Sequence, residues 1–199
     1  MMRQLLMKIF ITFAILAFWS CSIMQTDAFF SPIDQNTEEK IQPGLIPRYF
    51  AKFFERNIGK LPDDANTKLK SWVGEPILQL DHQFGKGEVF GSGTSRGIGI
   101  RMRGVLYFPA QGSYSFQALS NDGVRMYLGD RVVVNDPMQH ADQLSEESIV
   151  YIKEPGWYPL KIEYFQRKGT AALKLYWKTP EQNTMEIVPA SAYGHIPAT

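Results

Sequence analysis

Residues 104–136, GVLYFPAQGSYSFQALSNDGVRMYLGDRVVVND, carry the pattern that decides the fold. Within them, apolar and polar side chains alternate over residues 113–118 and again over residues 124–128. A period of two indicates a strand that buries one face. Gly129-Asp130 follows the second run and fits a two-residue hairpin turn, in which glycine accepts a positive φ. The stretch therefore predicts consecutive antiparallel strands joined by tight turns.

Similar runs lie on both sides of this stretch, at residues 98–108, 148–152, 160–164 and 171–178. Six or more short strands without a long helical period predict an all-β protein, an antiparallel β-sandwich or barrel. Residues 48–56 fit either a strand or a short amphipathic helix, and we favour a strand followed by irregular chain. We place the β domain at residues 44–195.

The composition excludes two classes of protein. The chain has 199 residues, of which 44% are hydrophobic and 13% aromatic, so it can bury a core and is not mainly disordered. Its 21 basic and 20 acidic residues give a formal charge of +1, which argues against a nucleic-acid binder.

The first twenty residues predict an export signal. Arg3 and Lys8 precede the apolar run 9–19, which is short for a membrane span of about 20 residues. Cys21, the single cysteine, follows where a bacterial lipoprotein carries its lipidated cysteine. We favour lipidation over cleavage after Ala28 or a retained anchor. Residues 21–43 are polar and aperiodic, which predicts a tether.

Motifs with catalytic potential lack the context that their chemistry needs. The glycines between residues 85 and 97 precede a predicted strand rather than a helix, so they do not predict a phosphate loop. His82, His140 and His195 are too scattered to suggest a zinc site. With no nucleophile or acid/base constellation in sight, we expect a protein that is not an enzyme.

Residues 120–123, Ser-Asn-Asp-Gly, link two predicted strands. Asn121 and Asp122 offer hard oxygen donors of the kind that calcium prefers. The same residues also suit a tight turn held by hydrogen bonds between side chain and main chain. Spacing alone favours the turn and leaves the calcium site open.

Several segments taken together resemble the protective-antigen-fourteen (PA-fourteen) family, over about residues 44–193. The resemblance includes His140 and these segments: 112–116 (GSYSF), 122–126 (DGVRM), 156–164 (GWYPLKIEY), 173–180 (LKLYWKTP) and 187–193 (IVPASAY). It implies the antiparallel β-sandwich or barrel of that family, which occurs in toxins, glycosidases, proteases and fungal adhesins.

The resemblance also implies a ligand site. In sugar-binding members, an Asp-Asp pair with a cis peptide bond ligates calcium, and the calcium coordinates sugar hydroxyls. Asn121 and Asp122 match that pair, so they are the expected metal ligands and calcium is the expected cofactor. Because Asn121 replaces the first aspartate, one negative charge is missing and calcium affinity should fall.

We expect Asn135 and Asp136 at the rim of the sugar site, and Tyr127 as an aromatic surface for a sugar ring. The predicted function is a non-enzymatic carbohydrate-binding or adhesion module, secreted or held at the cell envelope by a lipid anchor or an uncleaved signal. Its partner would be a glycan or an envelope protein. The alternative is a structural or protein-interaction lipoprotein without sugar or metal, and an accessory domain of a separately encoded hydrolase is a third possibility.

Lipidation at Cys21 makes a direct prediction. In a bacterial host, we expect palmitate label on the full chain and none on Cys21→Ser, since the thiol is the acceptor. Globomycin should block processing of the wild type. Equal labelling of both chains, or cleavage after Ala28, would rule out this anchor.

Overall fold

The structure, a computed structural model, describes residues 31–63 and 69–198, and nearly all of its regular structure is β. The predicted signal and Cys21 lie outside the described residues. The strands are β1 (Gln42–Pro43), β2 (Ile46–Ala51), β3 (Ser71–Val73), β4 (Asp81–Gly85), β5 (Ile98–Phe108), β6 (Gly112–Asn121), β7 (Val124–Leu128), β8 (Arg131–Asp136), β9 (Gln143–Leu144), β10 (Ser148–Ile152), β11 (Gly156–Gln166), β12 (Ala171–Lys178), β13 (Glu186–Ile187) and β14 (Tyr193–His195). One helical turn, α1 (Gln35–Glu38), and two 3-10 turns, Ile58–Lys60 and Ala190–Ala192, accompany them.

The strands form two antiparallel sheets. The larger sheet has the order β1-β14-β5-β11-β7-β8, with β2 on β5 and β3 on β2. The smaller sheet has the order β10-β6-β12-β13, with β4 on β12 and β9 on β6. The predicted all-β antiparallel fold is therefore confirmed, and residues 48–56 are a strand followed by irregular chain up to the first 3-10 turn.

The alternation in the sequence fills the space between the sheets. Tyr114 and Phe116 on β6 and Trp177 on β12 are buried, and they surround Phe108 at the end of β5. The ring centroids of Phe108 and Tyr114 are 4.8 Å apart, in an edge-to-face arrangement. The inward residues of both sheets thus share one aromatic-rich core.

A buried ion pair lies across the longest ladder of the larger sheet, where Arg101 on β5 is paired in register with Glu163 on β11. The Arg101 Nε and Nη2 atoms donate to Glu163 Oε1 at 2.9 and 2.8 Å. Tyr127 donates its hydroxyl to Glu163 Oε2 at 3.1 Å, so both carboxylate oxygens have partners. The two charged side chains are only 7% and 9% exposed.

A second, smaller apolar cluster forms where residues 52–62 pack on the outer face of the larger sheet. Its members are Phe50, Phe54, Ile58, Leu61 and Phe165. Gly99 on β5 lies under this cover, and a Cβ atom there would overlap Leu61 and approach Phe54 Cε2 to 2.6 Å. The missing side chain at Gly99 therefore allows the segment to lie directly on the sheet.

Residues 31–43, which the sequence assigns to a tether, contact the β domain. The Ile33 N–H donates to Trp157 O at 2.8 Å, and β1 pairs with β14. Main-chain hydrogen bonds to a sheet edge need no apolar periodicity, so the sequence pattern gave no signal for them. In the described ranges, no helix has the length and apolar character to cross a bilayer.

The buried pair makes a stability prediction. Glu163→Gln should lower the free energy of unfolding by about 3–5 kcal/mol, because it removes the buried negative charge that accepts hydrogen bonds from Arg101 and Tyr127. The exposed pair of Lys178 and Glu147, with charged atoms 4.0 Å apart, supplies the control. Glu147→Gln should cost less than about 1 kcal/mol in urea unfolding. Equal losses of unfolding free energy in the two variants would contradict the larger contribution expected of the buried pair.

Candidate functional site

The site lies at the pole of the fold where β6 ends and β12 begins. The Asn121–Asp122 peptide bond is cis, and both side chains are buried. Asn121 Nδ2 donates to Asp142 Oδ1 at 2.8 Å and to Thr170 Oγ1 at 3.0 Å. Asp122 Oδ2 accepts the Arg167 main-chain N–H at 2.7 Å. The two predicted residues thus connect their own turn to two other loops, the one that carries Asp142 and the turn between β11 and β12.

An open cavity of about 500 Å³ lies beside this peptide. Its walls come from four chain segments, and the residues used below are Arg56, Asn121, Asp122, His140, Arg167 and Lys168. The volume falls within the range of small-molecule sites, roughly 300–1,000 Å³.

Contacts between two irregular segments, residues 56–58 and 137–139, position the cavity wall that includes Arg56. The Ile58 N–H donates to Pro137 O at 2.9 Å, and the Gln139 N–H donates to Arg56 O at 3.0 Å. Arg56 has a φ of 63°, a left-handed conformation that is uncommon for a bulky residue. On their other side, residues 137–138 pack closely against Gly123, where a Cβ atom would lie only 2.8 Å from Met138 O. The wall is therefore fixed by main-chain contacts on both sides.

The cavity carries more positive than negative charge. Arg56, Arg167 and Lys168 make no ion pair within residues 31–63 and 69–198. The Arg167 Nε atom is buried and has no hydrogen-bond partner there. Burial raises the pKa of Asp122 above its ordinary value, while the Arg167 main-chain N–H and the proximity of His140 and Arg167 oppose that rise.

The described side chains do not fit a calcium site. Asp122 is the one carboxylate in the cavity wall, and one of its oxygens already accepts a main-chain N–H. Asn121 directs its amide nitrogen, which cannot ligate a metal, toward Asp142. The described part of the chain contains no group of three acidic, histidine or cysteine residues able to hold a metal ion. Calcium at Asn121 and Asp122 stays a prediction of the resemblance.

The other predicted residues are divided between this cavity and a different surface. Asp136 lies behind the cavity wall, with its Oδ2 atom 3.1 Å from His140 Nε2. Asn135 accepts a hydrogen bond from Arg125 Nε at 2.9 Å and does not line the cavity. Tyr127 lies on the outer face of the larger sheet, with Lys161 Nζ 3.7 Å from its ring centroid. That lysine occupies one face of the ring on which we expected a sugar.

Sequence reasoning missed the three cations of the cavity. Arg167 and Lys168 lie in the turn between β11 and β12, and pairing of Ala172 with Asn121 brings that turn to the site. Two adjacent cations in a turn next to the Asn-Asp strand end were the available signal. Nothing in the sequence indicated that Arg56 lies at the site, because it belongs to irregular chain between β2 and the first 3-10 turn.

Comparisons with known proteins agree with this fold. The chain is 27% identical over 112 residues to the anti-sigma-I factor RsgI3 of Acetivibrio thermocellus. The aligned residues cover 56% of this chain and 17% of that relative. The chain thus spans about a sixth of that relative.

Two solved structures share the fold. The PA14 domain of the MpAFP antifreeze protein has a TM-score of 0.63 at 17% identity, covering 85% of this chain and 98% of that domain. The A domain of Epithelial Adhesin 9 from Candida glabrata, in complex with Galβ1-4GlcNAc, has a TM-score of 0.64 at 12% identity, covering 85% of this chain and 95% of that domain. At these identities the likeness concerns the fold alone.

The PA14 domain family model matches residues 79–191, which include β4 to β13, the Asn121–Asp122 peptide and the turn that carries Arg167 and Lys168. That match covers more than half of the 199 residues, and the chain therefore belongs to the PA14 domain family.

Proposed function

We propose that this chain is a non-enzymatic carbohydrate-binding module and that the cavity beside Asn121 and Asp122 receives the sugar. The observation that carries the proposal is the cavity itself, an opening of about 500 Å³ whose wall includes the Asn121–Asp122 peptide. The shared fold with an adhesin domain in complex with Galβ1-4GlcNAc supports it.

The polar groups of the cavity suit sugar hydroxyls, which both donate and accept hydrogen bonds. Arg167 lines the cavity, and its Nε atom is a buried donor without a partner among the described residues, which costs free energy while no acceptor is present. Hydrogen bonds from Asn121 and to Asp122 hold the surrounding loops in place. Less conformational freedom is then lost when a ligand binds.

We also propose that the module works outside the cytoplasm, at the cell envelope or secreted. The adhesin neighbours and the anti-sigma-factor relative are consistent with this location. A lipid at Cys21 would provide the attachment, and a signal that is not cleaved would provide another. The partner is then a glycan presented at or near the cell surface.

Blocking the cavity tests the sugar site. Ala141 is exposed on the cavity wall, so Ala141→Trp should fill the opening and abolish binding on a glycan array without changing the melting temperature. Ala190→Trp, at an exposed residue of the second 3-10 turn, should bind as the wild type does. A wild type that binds no glycan would overturn the proposal and favour the structural or protein-interaction alternative.

Calcium dependence has its own test, the melting temperature of residues 22–199 in calcium and in chelator. From the donor set, we expect the two values to agree. A ligand at 100 times its Kd would add about 2.7 kcal/mol, which a melting curve resolves. A rise in calcium that disappears in Asp122→Asn, and persists in the exposed control Asp130→Asn, would instead establish the calcium site implied by the resemblance.

A further inference from the structure

The charges around the cavity indicate what kind of sugar it takes. Arg56 approaches from the irregular segment after β2, and Arg167 and Lys168 approach from the turn between β11 and β12. Cations from two separate segments of the chain therefore line one opening. Like charges brought together repel each other, and an anionic ligand would relieve that repulsion.

The nearby carboxylates offset only part of this positive charge, and within the described residues they form no ion pair with the three cations. Asp122 is only 2% exposed, and its Oδ2 atom accepts a main-chain N–H. Asp142 accepts hydrogen bonds at both oxygens, from Asn121 Nδ2 at 2.8 Å and from Gln83 Nε2 at 3.2 Å. Three cations face these two acids, so the opening keeps an excess of positive charge.

Arg167 has the features of an anion-binding group. Its main chain is fixed by Asp122 on one side, and its carbonyl accepts the Gly97 N–H at 3.0 Å on the other. Its Nε atom is buried without a partner in the described residues, although buried donors are nearly always hydrogen-bonded. The main chain of Arg167 is thus fixed beside the cavity, and a guanidinium can donate two parallel hydrogen bonds to the oxygens of a carboxylate.

We infer that the cavity binds an acidic sugar, such as a hexuronic acid, through direct contacts of Arg167, Arg56 and Lys168 with the sugar carboxylate and without calcium. The inference rests on the proposed sugar-binding function and names the ligand class of the same site. The positive charge that a bound metal would supply comes here from the protein's own side chains.

The test compares polygalacturonate with its methyl ester, because the ester keeps the sugar backbone and removes the charge. Binding is measured in chelator by affinity electrophoresis, with dextran sulfate as a polyanion without carboxylates and neutral dextran as a blank. We expect retardation by polygalacturonate and at least about tenfold weaker binding of the ester, since a hydrogen bond to a charged group contributes about 1.5–3 kcal/mol.

Three variants assign the binding to this cavity. Arg167→Gln should weaken polygalacturonate binding about tenfold or more, and the exposed Arg56→Gln and Lys168→Gln should weaken it by smaller factors. Arg131→Gln removes one exposed arginine at the β7–β8 turn, at the opposite end of that hairpin, and should leave binding within about twofold. If Arg167→Gln lowers the melting temperature, Arg56→Gln and Lys168→Gln decide.

The outcomes separate the two proposals. Ester bound as tightly as acid, or acid bound only in calcium, would overturn the acidic-sugar inference and leave the sugar site standing. Equal losses in Arg131→Gln and the cavity variants, with dextran sulfate bound as tightly as polygalacturonate, would also overturn it by showing general attraction to polyanions. If no glycan binds, acidic or neutral, the proposed function fails as well.

Discussion

The pairing of β5 with β11 over eleven residues is the contact on which the rest of the structure depends. β2 and β14 pair with β5, and β7 pairs with β11, so the larger sheet grows outward from this ladder. The inward residues of both strands form one side of the core. Their outward residues include Arg101 and Glu163, which Tyr127 and the Pro62 carbonyl enclose with hydrogen bonds.

The same ladder positions the cavity through its outer face. Gly99 and Phe165 lie opposite each other on β5 and β11, and residues 52–62 pack on them. This cover carries Arg56 to the cavity and supports residues 137–139 through main-chain hydrogen bonds. The wall of the site is thus a consequence of apolar burial, although no apolar side chain takes part in the proposed recognition.

The sequence predicted the elements whose pattern is local. Alternation predicted β6 and β7, because the side chains of a strand with one buried face repeat every two residues. Gly129-Asp130 predicted the turn between β7 and β8. Asn121 and Asp122 were predicted as a site because they link two such strands, and their role as metal ligands stays a prediction. Arg56 and the contacts of residues 31–43 depend on main-chain hydrogen bonds in irregular chain, which any side chain permits. Tyr127 shows a further limit, since exposure in a strand does not tell what lies across its ring.

The contact between Ile33 and Trp157 fixes how the module faces its surroundings. Trp157 is the second residue of β11, whereas Gln166 ends that strand beside the cavity turn, and strands of eleven residues are roughly 30 Å long. β1 and β14 lie at the same end as Trp157. A body joined ahead of residue 31 or behind residue 198 therefore meets the domain at one pole, and the cavity opens at the other. With the proposed attachment ahead of the domain, its length would separate the proposed sugar site from the anchoring surface.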